Sequence, residues 1–158
     1  MYRELESSEP LIGDLLLKKE AEGLKFYREC IQKTNQFSTK YVLQKVLRVH
    51  QDHVEELKVD IQNLTSDKLD KDLITEIDNS LSYQDLCDEF DFATLTFREA
   101  TRLAIKYSEN DIRFYENLLT KDLEKPAKKA IERILYKKST HVMQLKSEYE
   151  RLREGQEK

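Results

Sequence analysis

The sequence predicts an all-α fold in which four helices form a bundle of two similar hairpins. Charged residues make up 37% of the chain, which has 3 glycines, 2 prolines and no tryptophan. Such a composition is typical of long helices with solvated faces. Four segments carry apolar residues at helical spacing, and the two halves of the chain repeat each other. At 158 residues we expect a single domain over 1–158, with frayed tails at 1–10 and 153–158.

The first predicted hairpin joins two long helices through a few residues. The first helix spans about 11–34 and follows Pro10, a residue that suits a helix start. Ser38 is the expected N-cap of the second helix, which runs to about Leu64. Because the connection is short, the two helices should lie antiparallel. Their apolar stripes consist of Leu16, Leu17, Leu24, Tyr27 and Ile31 in the first helix and Leu43, Val46, Leu47, Val54, Leu57 and Ile61 in the second.

The chain from Thr65 to Phe92 predicts a crossover connection that contains one short helix. The apolar residues that indicate this helix are Leu69, Leu73, Ile74, Ile77 and Leu81. An acidic run follows them, and we interpret it as a solvated loop rather than a cation site, because blocks of charge usually face water. The run comprises Asp85, Asp88, Glu89 and Asp91.

The second predicted hairpin begins with a capping box. Thr96 and Glu99 are three residues apart, so each side chain can bond the other's backbone N–H at the start of the third helix. This helix runs to about Thr120, and Pro126 marks the start of a fourth that extends to about Leu152. Their apolar stripes consist of Leu103, Ile105, Ile112, Tyr115 and Leu118 in the third helix and Ile131, Ile134, Leu135, Val142, Leu145 and Tyr149 in the fourth.

An internal repeat is the strongest pattern in the sequence. Moving the chain by 88 positions aligns the run Leu24–Tyr27 with the run Ile112–Tyr115. The same shift aligns His53 with His141. Two separate blocks that agree on one offset, including a rare histidine, are hard to produce by chance. The pattern predicts two helix hairpins related by pseudo-two-fold symmetry.

The three histidines of the chain all lie on the predicted inner faces of the second and fourth helices. His50 and His53 are three residues apart, so they share one helix face, where two imidazoles can bind the same metal. His141 is the repeat equivalent of His53. The alternative is that all three are hydrogen-bonded core residues, which is the commoner role of a buried histidine. The repeat symmetry favours a shared site.

Glu20 is a second inward-facing polar residue, because it lies two turns before Tyr27 on the same face. A carboxylate there requires a metal or an opposite charge. One candidate partner is a metal held with the histidines. The other is the ammonium of Lys138, on the inner stripe of the fourth helix three residues before His141. An ammonium beside a metal repels it, whereas one beside Glu20 forms a metal-free ion pair.

Taken together, these features resemble rubrerythrin and its ferritin-like diiron-carboxylate relatives over essentially the whole chain. The features are a glutamate two turns before a Phe-Tyr pair, a following helix with two ligands three residues apart that ends the motif in histidine, and the repetition of this helix pair. The resemblance implies a ferritin-like bundle in which each hairpin supplies a glutamate and a Glu-x-x-His. In that family two irons react with peroxide or oxygen. Glu20, His53 and His141 keep family ligand positions.

Three positions depart from the family pattern. His50 and Lys138 replace the bridging glutamates, and Ser108 replaces the glutamate of the third helix. Asp111 matches a position where rubrerythrins carry an additional carboxylate, although an exposed position is the alternative. Too few carboxylates remain to neutralise two irons.

We therefore expect one metal ion, iron or zinc in the first place, rather than a full diiron centre. Its candidate ligands are Glu20, His50, His53, His141 and Asp111. The predicted function is metal binding, with an oxidoreductase reaction on peroxide or oxygen as its extension. The alternative is a metal-free structural or interaction module in which Glu20 and Lys138 pair in the former diiron site.

Composition argues against several other classes of protein. The net charge is −4 and charges of both signs are interspersed, so no surface for a nucleic-acid backbone is indicated. The chain lacks a stretch of about 18 apolar residues, and we expect a cytoplasmic protein without a membrane partner. Cys30 and Cys87 form no CxxC motif, which excludes a rubredoxin-type iron module. Redox chemistry would require an external electron donor. We expect at most a homodimer.

Overall fold

Helices account for nearly all of the described chain. The computed structural model describes residues 11–62, 64, 75 and 84–157. Its elements are α1 (Ile12–Lys33), α2 (Phe37–Ile61), α3 (Gln84–Glu89), a 3₁₀ turn (Phe92–Thr94), α4 (Phe97–Leu118) and α5 (Lys125–Glu157). The prediction of an all-α protein is confirmed. Over these ranges, none of the helices combines the length and the apolar character needed to cross a membrane.

The four long helices pack as two hairpins. α1 packs along α2 and α4 packs along α5, and α2 also contacts both helices of the second hairpin. Only residues 34–36 separate α1 from α2, so the chain turns back directly. α5 continues to Glu157, through residues that the sequence predicts as a frayed tail. α2 is therefore the helix that brings the two hairpins together.

One of the two predicted N-caps of the long helices is confirmed. The Thr96 hydroxyl accepts a hydrogen bond of 3.1 Å from the backbone N–H of Glu99, which satisfies one donor at the start of α4. The prediction that Ser38 caps α2 is wrong. α2 already begins at Phe37, and its first turn closes through a bond from the Lys40 N–H to the Gln36 carbonyl. The extended connection is too short to delay the helix to position 38.

The crossover is described only near its end. The apolar residues that predict its helix lie outside the described residues, whereas α3 starts further along, at Gln84. Glu89 is exposed, as the predicted solvated run requires, but it belongs to α3 rather than to a loop. Its carboxylate accepts a hydrogen bond of 3.1 Å from Arg102 and also pairs with Lys106. These contacts attach the end of the crossover to α4.

Matching aromatic pairs support the predicted symmetry of the two hairpins. The rings of Phe26 and Tyr27 lie 5.3 Å apart at 78°. The equivalent rings of Phe114 and Tyr115 lie 5.1 Å apart at 76°. Positions 88 apart thus adopt the same edge-to-face packing.

Contacts between the hairpins repeat as well. Lys19 of α1 forms an ion pair with Asp111 of α4. Their repeat equivalents are Tyr107 and Gly23, and these two positions also meet. A Cβ atom at Gly23 would lie 2.4 Å from the Tyr107 hydroxyl oxygen. The absence of a side chain at Gly23 is what admits Tyr107 to the core.

Two apolar clusters fill the ends of the bundle, and the polar site lies between them along the helices. The first cluster includes Phe26, Val42, Val46, Leu103 and Leu145. The second includes Leu16, Leu57, Leu118, Ile131 and Ile134. The buried polar residues between them are Lys19, Glu20, His50, His53, Ser108, Asp111, Lys138 and His141. Packing on both sides keeps these polar groups out of bulk water.

Candidate functional site

Four oppositely charged side chains form a buried network in the polar layer. Lys19 and Glu20 come from α1, Asp111 from α4 and Lys138 from α5, and none is more than 3% exposed. Lys138 Nζ lies 2.9 Å from Glu20 Oε1 and 3.1 Å from Asp111 Oδ2. Lys19 Nζ lies 2.9 Å from Asp111 Oδ1.

Every carboxylate oxygen of this network has a partner. The remaining oxygen, Glu20 Oε2, accepts a hydrogen bond of 2.5 Å from the Tyr115 hydroxyl. Two ammonium groups and two carboxylates give a net charge of zero. A metal that binds Glu20 or Asp111 would therefore share the carboxylate with an ammonium or replace that contact.

The network fixes the charge state of its members. Burial alone would raise the pKa of Asp111, but the ammonium groups of Lys19 and Lys138 together hold it below its usual range. Burial alone would lower the pKa of Lys138, but Glu20 and Asp111 raise it above its usual value. Both groups stay charged at neutral pH.

The three histidines form a separate cluster beside the network. The ring centroids lie 5.9 Å apart for His50 and His53, 6.0 Å for His50 and His141, and 6.2 Å for His53 and His141. His50 is 2% exposed, His53 is 6% exposed and His141 is 8% exposed. The structure thus brings together all three imidazoles that the sequence predicts at one site.

One ring nitrogen of each imidazole lacks a hydrogen-bond partner among the described residues. These atoms are Nε2 of His50, Nδ1 of His53 and Nε2 of His141. A buried polar atom without a partner costs about 1–3 kcal/mol. Three such atoms in one cluster indicate a place where a ligand would be stabilised.

The imidazoles are neutral at physiological pH. Burial, and then the charge of Lys138, lowers the pKa of His50 well below its usual value. The same two causes lower the pKa of His53 to about 3 and that of His141 to about 4. Neutral imidazole is the form that coordinates metals.

Two tyrosine rings close the inner side of the histidine cluster. The centroid of Tyr27 lies 5.1 Å from that of His50, and the centroid of Tyr107 lies 5.6 Å from it. Phe26 stacks on Tyr107 at 5.1 Å. These contacts leave the outer side, near His53 and His141, as the route to solvent.

A cleft between α2 and α5 provides that route. It has a volume of about 330 Å³, and its walls include His53 and His141 together with Glu56 and Lys137. Glu56 and Lys137 form an ion pair across the two helices. A neighbouring cavity of about 170 Å³ also reaches His141. The histidine cluster is therefore accessible from one face of the bundle.

The residues do not fit a diiron-carboxylate centre. All four oxygens of Glu20 and Asp111 already have a lysine or tyrosine partner, and Lys138 adds a positive charge beside both carboxylates. In the ranges that the structure describes, no group of three or more histidine, cysteine, aspartate or glutamate side chains stands ready to hold a metal.

A single ion is closer to what the histidines allow. Metal–nitrogen bonds of about 2.0–2.1 Å in a tetrahedral site place imidazole centroids roughly 5 Å apart. The observed spacings of 5.9–6.2 Å exceed this by about 1 Å. Glu20 and Asp111, also predicted as ligands, lie nearby, and their role as ligands stays a prediction.

Lys19 and Tyr107 are site residues that the sequence reasoning missed, whereas Tyr115 was already placed on the inner stripe of the third helix. Lys19 follows Leu16 and precedes Gly23 at helical spacing, so its inward position could have been read from the apolar stripe. Cys30 is buried, Cys87 is half-buried and neither forms a disulfide. Burial raises the pKa of the Cys30 thiol to about 12.

Comparison of the chain with protein-family models, with curated proteins and with solved structures gives no match. Function therefore has to be inferred from the side chains of the site itself.

Proposed function

We propose that this chain is a ferritin-like, rubrerythrin-related metal-binding protein that holds one divalent ion with His50, His53 and His141. The observation that carries the proposal is the cluster of three buried imidazoles, each with a ring nitrogen that has no hydrogen-bond partner among the described residues. A bound cation would satisfy all three nitrogens at once.

The chemistry of the cluster favours zinc or ferrous iron. Imidazole ligands suit borderline divalent ions, whereas hard ions such as magnesium and calcium prefer oxygen. The nearest carboxylates belong to Glu20 and Asp111, and both are held by lysines. One ion, rather than two, follows from this lack of available oxygen ligands.

An oxidoreductase reaction with peroxide or oxygen is an extension of this proposal. It requires iron as the bound metal, which would supply the redox chemistry. Tyr27 and Tyr107 cover the inner side of His50 and would exclude water from it. Because the sequence contains no CxxC iron module, the electrons would come from an external donor.

The test is metal content in protein purified without an affinity tag. Iron, zinc, manganese and nickel are quantified per chain, and the metal-depleted protein is then titrated with zinc and with ferrous iron. We expect about one ion per chain. His53→Ala should abolish binding, and Asp111→Asn should leave one ion bound because the histidines remain. Unchanged metal content in His53→Ala would refute the proposal.

A second candidate is supported by the ion-pair network. The four charged groups already neutralise one another, and each carboxylate oxygen has a partner without any metal. The protein would then be a structural or interaction module with Glu20 and Lys138 paired in the former metal site. No bound metal, even after incubation with zinc and ferrous iron, is the result that this candidate predicts.

A further inference from the structure

A metal held only by three neutral imidazoles would leave its charge uncompensated. The neighbouring charge network is neutral as a whole, and its member closest to the histidines in sequence is the ammonium of Lys138, one turn before His141 on α5. A divalent cation at this position would be stabilised by an anionic fourth ligand.

From this arrangement we infer that the carboxylate of Glu56 is the fourth ligand, which completes a three-histidine, one-glutamate site. The inference rests on the proposed function. Glu56 lines the same cleft as His53 and His141. It also lies three residues after His53 on α2, a spacing that places two side chains side by side on one helix face.

The other acids near the cluster are less suited to this role. Glu20 and Asp111 have every carboxylate oxygen engaged. Asp52 also lines the cleft, but it directly precedes His53 in sequence, and adjacent residues of a helix point in different directions. Glu56 is 52% exposed and its contact is a surface ion pair, so it can turn toward the histidines at little cost.

Lys137 then competes with the metal for Glu56. In the structure the Lys137 ammonium pairs with Glu56 Oε2 across the cleft. Metal binding would exchange this partner for the cation. Removal of Lys137 should therefore strengthen metal binding, both by freeing Glu56 and by removing a positive charge near the cation.

The experiment measures zinc affinity by competition with a chromophoric chelator, and the visible absorption of the cobalt-loaded protein, for the wild type and three variants. Glu56→Gln should weaken zinc binding about tenfold or more and change the cobalt spectrum. Lys137→Met should tighten zinc binding several-fold. Glu55→Gln is the matched control, because Glu55 is the 72% exposed neighbour paired with Lys58, and it should match the wild type.

The outcomes separate this inference from the proposed function. Wild-type protein that binds neither zinc nor cobalt overturns the proposed function and the inference with it. Zinc binding that is lost in His53→Ala but unchanged in Glu56→Gln overturns only the role of Glu56 and points to an exogenous anion. Equal weakening by Glu55→Gln and Glu56→Gln would also overturn it, since only the general negative charge would then matter.

Discussion

The substitution Lys138→Met should destabilise the protein strongly. Lys138 forms ion pairs with both carboxylates of the charge network, and its side chain is 1% exposed. Methionine has a similar length and no charge, so the substitution removes the ammonium with little change in volume. Glu20 Oε1 and Asp111 Oδ2 would then be buried without a cation.

The expected magnitude follows from what remains of the network. Removal of one partner of a buried ion pair costs about 3–5 kcal/mol. Lys19 and Tyr115 still hold one oxygen of each carboxylate, so we expect about 3 kcal/mol at pH 7. For a domain of this size such a loss lowers the melting temperature by roughly 6–12 °C.

The size of the loss should also depend on pH. In the wild type the pKa of Asp111 is held below its usual range, so its stabilising contribution is present above the ordinary pKa of about 3.9 and is lost as the pH falls through the lowered value. In Lys138→Met the carboxylates protonate more readily. The difference in stability between variant and wild type should therefore shrink as the pH falls toward 4.

Urea unfolding of metal-depleted protein, followed by circular dichroism at pH 7, 5.5 and 4.5, measures these differences. Lys137→Met is the control, because Lys137 is the adjacent lysine of α5 and forms a surface pair with Glu56. It should cost no more than about 1 kcal/mol. Equal losses in the two variants at pH 7 would refute the view that the Lys138 network is a major source of stability.

Three further predictions concern other parts of the bundle. Metal-depleted protein should lose stability as the pH falls below about 6.5, by up to about 1.4 kcal/mol per pH unit for each histidine, because folding lowers the pKa of each one. The slope of the free energy of unfolding against pH should be smaller in His141→Gln, and an unchanged slope would count against this prediction. Gly23→Ala should cost about 1–3 kcal/mol because its Cβ meets the Tyr107 hydroxyl. The same alanine should cost less in a Tyr107→Phe background, which thermal unfolding of the wild type, the two single variants and the double variant would show. Thr96→Ala should cost about 1 kcal/mol through loss of the α4 cap, whereas Thr96→Ser should cost little; equal melting temperatures for the two would argue against capping.

The helices and their pairing into hairpins were predictable because they depend on local patterns. Apolar spacing identified all four long helices, and Thr96 was recognised as a cap because capping involves residues three positions apart. The start of α2 was missed by two residues, since the Gln36 carbonyl closes the first turn and no capping side chain is used. Backbone hydrogen bonds of this kind do not require particular residue types, so the sequence does not indicate them.

The candidate site was predictable only in part. The repeat placed the histidines on facing helices, and the structure brings them within about 6 Å of one another. The pairing of Glu20 with Lys138 was foreseen as one of two alternatives, and it is present. That both carboxylates are held by ammonium groups depends also on a second lysine, Lys19, whose role the sequence pattern did not reveal.

The sequence by itself determined which faces are buried, and so which polar residues need partners. It could not determine which partner each one takes. Tyr115 and Glu20 are 95 positions apart, and their contact depends on how two hairpins dock and on which rotamer each side chain adopts in a packed interior. Only the tertiary structure decided that lysines neutralise the acids, that the imidazoles stay neutral beside them, and that the cleft with Glu56 opens onto the histidines.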